Sequence, residues 1–184
     1  VWQLAARGEF YTAYTPYQAE ASQGNLQILY EYQTLMSQLM AMDISNASLY
    51  EGATALCEAI EMGFRIQKRK NKKAKKVIIP SNIHPHYRAT LEMILGSAAI
   101  ISMDINPLIP LTEALNALNL TDFSDIASLV IPQPTFLGTI ESADTLTQWA
   151  HDRGLLVIAL VNPIAMSILK PPGEWGTRGA DIAC

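Results

Sequence analysis

The chain has 184 residues, 49% apolar and 16% charged, enough to bury the core of one globular domain and too apolar for a disordered one. Its net charge of −4 conceals an asymmetry: eight of the 13 lysines and arginines fall between Arg65 and Lys76 with no acid among them, leaving five against 17 acidic residues elsewhere. No apolar run approaches the ~20 residues that cross a bilayer as a helix, the start lacks a signal-peptide pattern, and Cys57 and Cys184 make neither a disulfide framework nor a metal-ligand spacing; a cytoplasmic protein without a metal site is expected.

Residues 1–24 lack a regular period and carry Tyr, Thr and Pro, which reads as an extended arm. Tyr14, Tyr17 and Gln18 lie on it, and aromatic rings with polar tips are common at interfaces; the arm packs either on its own domain or on a partner. From Asn25 the apolar residues Leu26, Leu29, Tyr30, Tyr32, Leu35, Met36, Leu39 and Met40 recur at helical spacing, predicting a long, well-buried helix. A turn or short strand comes next, at 43–46.

At Tyr50-Glu51-Gly52-Ala53-Thr54-Ala55 small residues meet a helix start. Free N–H groups and the helix dipole make such a start an anion site, although a Gly and a Thr there also serve as a plain cap. The helix runs over 53–67, and the basic residues after it read as its solvated C-terminal end and loop, because cations complement a helix C-terminus. No aromatic residues interleave with the lysines as in a nucleic-acid site.

Short β-branched runs then alternate with helical segments. Strands are predicted at 76–80, 98–102, 127–131, 155–160 and 180–183, with helices at 85–95, 111–118, 142–153 and 164–169. This alternation predicts a three-layer α/β/α domain over 25–184 with a mostly parallel sheet and right-handed crossovers. The sequence starts at Val1 and stops inside a predicted strand at Ala180–Cys184, so the domain is expected to be C-terminally incomplete, with apolar surface left bare there. His84 and His86 bracket Pro85 after the first strand, a weak metal pair and a better strand-to-helix turn. Asn162 ends the fourth strand, at the edge where open α/β sheets bind ligands, and is equally suited to capping the next helix. His151, late in a polar helix, is expected to be exposed. Outside the basic run the only lysine is Lys170, beside prolines that suit a turn.

Four segments lie in the register of one family: YTAYTPYQAEASQGNL at 11–26, DISNASLYEGATALCEA at 43–59, HPHYR at 84–88 and LKPPGE at 169–174. Together they resemble the glycine cleavage system P-protein, glycine dehydrogenase (decarboxylating), over nearly the whole chain, and the YEGATA pattern looks like the separate subunit 1 (alpha) type rather than the fused form. The resemblance implies the large domain of a pyridoxal-phosphate enzyme of the aminotransferase-like fold (fold type I). It implies that the turn at Gly52, Ala53 and Thr54 faces the cofactor phosphate, that His84 packs near the cofactor, and that Tyr14, Tyr17 and Gln18 help to line an active site shared with a partner. At Asn162 the family has Asp, whose charge stabilises the protonated pyridine nitrogen; a neutral Asn cannot do so equally well, and the cofactor pocket here is expected to be vestigial. A Schiff-base lysine needs a desolvated pocket and none is available here, so the resemblance implies that the catalytic subunit 2 supplies it. The implied complex takes carbon dioxide from glycine and passes the aminomethyl group to the lipoyl arm of the H-protein. A non-catalytic assembly subunit and a stand-alone α/β enzyme binding a phosphorylated ligand at Gly52–Thr54 are the alternatives.

Overall fold

The computed structural model describes residues 1–8, 13–104, 106 and 109–184; Tyr11 and Thr12 of the first motif lie outside the described residues. The chain divides into two compact units, Val1–Ser48 and Leu49–Cys184. The first unit takes in the arm and the first long helix together.

The N-terminal unit holds a short helix α1 (Trp2–Ala5) and the 18-residue helix α2 (Gln23–Met40). Ala41 ends α2 in the left-handed region (φ 52°), and Met42 N–H closes the last turn by donating to Ser37 O at 2.9 Å. Of the α2 residues only Met40 is buried; Leu35 is 63% exposed and Tyr30 71%. This corrects the expectation of a well-buried helix. The apolar spacing is real, but among the described residues of the unit no other long element covers it.

The second unit is built on five parallel strands, β1 (Lys76–Pro80), β2 (Ile100–Met103), β3 (Ile126–Gln133), β4 (Leu156–Val161) and β5 (Ile182–Ala183), in the order β2-β1-β3-β4-β5. Helices α3 (Gly52–Lys70) and α4 (Pro85–Leu95) contribute Leu56, Ile60 and Leu91 to one core, against Val77, Ile79, Val130 and Ile158. On the other side α5 (Leu111–Ala117) and α6 (Ala143–Asp152) contribute Leu115 and Leu146, against Ile78, Leu129, Ile131 and Val157. Alternate strand residues thus feed alternate cores, as the period of two requires. Buried on both faces, the strands need continuous apolar runs. Every residue of the central β3 is buried.

Strand succession reverses at β1, so the sheet has a switch point between β1 and β3. Helix α3 runs against the strands. Near its C-terminus Gln67 Nε2 donates to Ala127 O at 3.4 Å and Gly154 O at 2.8 Å, by the amino ends of β3 and β4, while its first residue, Gly52, lies beside Tyr87 on the helix that leaves β1. Its N-terminus therefore sits at the carboxyl edge of the sheet. Lys68, Arg69 and Lys70 occupy its last turn, and Lys76 pairs with Asp125 at 2.7 Å, which fits the helix-end reading of the basic run. Where a helix was predicted at 164–169 there is only a short 3-10 turn, Ala165–Ser167.

Candidate functional site

Three predicted site groups lie at this carboxyl edge, and each bonds to its own backbone. At α3 the capping residue is Glu51. Its Oε2 accepts from Ala53 N–H at 2.6 Å and its Oε1 from Thr54 N–H at 2.7 Å. The Thr54 hydroxyl donates to Glu51 O at 3.1 Å. The Thr54 side chain and then the N–H groups of Thr54 and Ala53 hold the carboxyl below the ordinary glutamate range. A Cβ on Gly52 would lie 2.0 Å from Tyr87 Oη, so any larger residue there would have to push that ring aside. Burial, and then the charges of Glu51 and Cys184, push the Tyr87 phenol up.

At α4 the cap is His84, whose Nδ1 accepts from His86 N–H at 3.1 Å, and Pro85 occupies the first helical position. The His84 ring meets Phe136 edge-on with centroids 4.7 Å apart, and His86 at 4.9 Å. Phe136 comes from the turn after β3 and is held by its N–H donating to Asn82 O at 2.9 Å. Asn162, at the end of β4, accepts from Ile164 N–H at 2.9 Å through Oδ1. Its side chain fixes a turn.

Lys170 is engaged elsewhere. Its Nζ donates to Asp144 Oδ1 at 2.8 Å, and Gly176 N–H donates to the same oxygen at 2.7 Å. Lys170 first, then Gly176, holds the Asp144 carboxyl below its ordinary range. A cleft of about 290 Å³ opens here, lined by Gln133, Glu141, Ser142, Asp144, Lys170 and the buried Trp175. An exposed ammonium ion-paired to Asp144 is not the desolvated amine that a Schiff-base lysine needs. Burial, ahead of three nearby glutamates, pushes the Cys57 thiol up, which makes it a packing residue rather than a nucleophile.

His151 is buried, not exposed: its side chain is 5% accessible and its Nε2 lies 3.0 Å from Asp181 Oδ2, which also accepts from Val157 N–H at 2.8 Å. The polar composition of α6 hid this, because its partner comes from the segment before β5, thirty residues later. In the N-terminal unit Tyr14 and Tyr17 are 98% and 83% exposed, and Gln18 is exposed. Among the described residues no group of three His, Cys, Asp or Glu could hold a metal ion, and no helix is long and apolar enough to cross a membrane.

The sequence model of the family described as glycine cleavage system P-protein matches residues 1–184. The chain belongs to that family. It is 54% identical over 186 residues to the probable glycine dehydrogenase (decarboxylating) subunit 1 of Coxiella burnetii (strain RSA 493 / Nine Mile phase I), covering 100% of this chain and 41% of that protein. Identities of 51% and 50% relate it to the subunit 1 proteins of Thioalkalivibrio sulfidiphilus and Nitrosomonas europaea, again over the whole chain and 41% and 40% of theirs. The chain thus spans about two fifths of the length of these relatives. Among solved structures, a glycine decarboxylase (P-protein) of the glycine cleavage system in inhibitor-bound form superposes with a TM-score of 0.75 at 36% identity, over 99% of this chain and 39% of that one. Mouse CSAD in apo form, at 14% identity, shares the fold alone, with a TM-score of 0.55 over 79% of this chain and 34% of its own.

Enzymes of this P-protein family use pyridoxal phosphate, and the residues at the carboxyl edge do not fit that group. The N–H groups of Ala53 and Thr54 serve Glu51, Asn162 is a neutral amide serving its own turn, and Lys170 serves Asp144. Sequence reasoning passed over Glu51, since Ser, Thr, Asp and Asn are the usual caps. Tyr87 and Phe136 were also missed, because only the fold brings them to Gly52 and His84.

Proposed function

We propose that the chain is part of subunit 1 of a two-subunit glycine dehydrogenase (decarboxylating), acting in the reducing cytoplasm. The reading is carried by identities of 54%, 51% and 50% along the whole chain to proteins named subunit 1. The complex takes carbon dioxide from glycine and passes the aminomethyl group to the lipoyl arm of the H-protein, and the catalytic subunit 2 brings the cofactor lysine. This chain supports that partner. Tyr14, Tyr17 and Gln18 form a wall of the partner's pocket; their exposure leaves their hydroxyls and amide free to meet another surface. Gly52, Ala53, Thr54, His84 and Asn162 are vestigial as cofactor contacts, and their work is to cap helices and turns at the sheet edge.

The test mixes the chain with a candidate catalytic subunit, lipoylated H-protein and glycine, and measures carbon dioxide release. Release is expected only when both subunits are present. A catalytic subunit that is fully active without the chain, or a chain that is active alone, would sink the reading.

A further inference from the structure

The carboxyl edge of a parallel α/β sheet is where ligands bind, and a long helix that starts there presents free N–H groups and a positive dipole end to any anion. Helix α3, with 19 residues, is such a helix. Its small first residues, Gly52 and Ala53, leave the approach open, and the sequence alone reads as a phosphate cradle. The side chains say otherwise. Both oxygens of Glu51 are used, one on each of the two N–H groups that a phosphate would need. Ala55 N–H is taken by Glu51 O at 2.9 Å, and the Thr54 hydroxyl turns back to the same carbonyl. Tyr87 closes over Gly52 from the side, with its phenol next to the Glu51 charge.

We infer that Glu51 is the resident anion of the α3 N-terminus and excludes phosphate from it, through its contacts to Ala53 and Thr54. The two negative charges of a phosphate would meet a carboxylate already holding the donors, so an incoming ion loses both the hydrogen bonds and the favourable end of the dipole. What looks like a ligand cradle is thereby converted into a structural cap, and the edge of the sheet is sealed at that point by the chain itself. The inference goes beyond the subunit assignment. Its test reads the turn alone, so either can fail without the other.

The experiment follows the backbone amide signals of Ala53 and Thr54 by NMR in the isotope-labelled protein. At neutral pH, inorganic phosphate and pyridoxine 5′-phosphate, which lacks the aldehyde that would react with surface lysines, should leave both amides unmoved. On acidification both should shift together, with a midpoint below the ordinary glutamate range, as the carboxylate is lost. Glu51→Ser keeps a good helix cap but removes the carboxylate; it should bind phosphate roughly tenfold or more tighter than the unaltered protein, with shifts centred on Ala53 and Thr54. Glu51→Asp should still exclude it. Phosphate shifting the two amides with Glu51 in place would overturn the inference, as would amides that ignore acid, or a folded Glu51→Ser protein that gains no affinity. If Glu51→Ser does not fold, the acid titration and the phosphate titration of the unaltered protein decide.

Discussion

Helices α2 and α3 are nearly the same length, 18 and 19 residues, and both carry apolar side chains at helical spacing. Their fates differ. Helix α3 buries seven residues against the sheet and α4, with Leu56 and Ile60 fully inaccessible, whereas α2 buries Met40 alone. Periodicity reports that a helix has an apolar face, and it is silent on whether the same chain provides the surface to cover it.

The sharpest way to break this comparison is a pair of truncations read by chemical denaturation. Leu56→Ala removes a fully buried side chain and should cost about 2–5 kcal/mol. Leu35→Ala, at a site 63% exposed, should stay within about 0.5 kcal/mol. Similar losses at both sites would show that α2 is covered after all.

A functional contrast comes next. If the exposed aromatics of the N-terminal unit meet a partner, Tyr17→Ala should lower the activity of the reconstituted complex about tenfold, roughly 1.4 kcal/mol, while the melting temperature of the isolated chain barely moves. Parallel losses of fold and activity would mark the arm as ordinary core.

The smallest effect expected is on acid stability, and it belongs to the second unit. The carboxyls of Glu51, Asp122 and Asp144 all lie below their ordinary values when folded. A carboxyl depressed in this way contributes stability above its unfolded pKa and loses it as the pH falls through the folded one. The chain should therefore weaken below about pH 4, near the ordinary carboxylate range. Asp144→Asn should flatten part of that acid limb. The effect is modest, since the Lys170–Asp144 pair is exposed and solvent-screened. An acid limb that Asp144→Asn leaves unchanged would remove the pair from the account.

The sheet was legible because strands covered on both faces need uninterrupted β-branched runs: 76–80 and the helix at 85–95 are observed with the predicted bounds. The segment before β2 was less so, because Ser97–Ala99 form a 3-10 turn and the strand starts at Ile100. The candidate site was legible as a place but not as a set of bonds. His84 does start the helix after β1 and Asn162 does follow β4, yet what they touch depends on side-chain direction, and the cap at Glu51 arises from a residue type rarely chosen for it. The burial of His151 depends on Asp181, a contact between distant segments that no local pattern encodes.

The two ends of α3 carry one further consequence, which concerns time. Glu51 holds the first turn and Gln67 ties the last turns to the amino ends of β3 and β4. Fraying, which normally starts at helix ends, has to break a side-chain clamp at either one. In native-state hydrogen exchange the middle of α3 should open only when the whole second unit does, together with β1, β3 and β4. Helix α2, with one buried residue, should exchange long before it, so the helix that sequence alone would rank as its equal keeps a different clock.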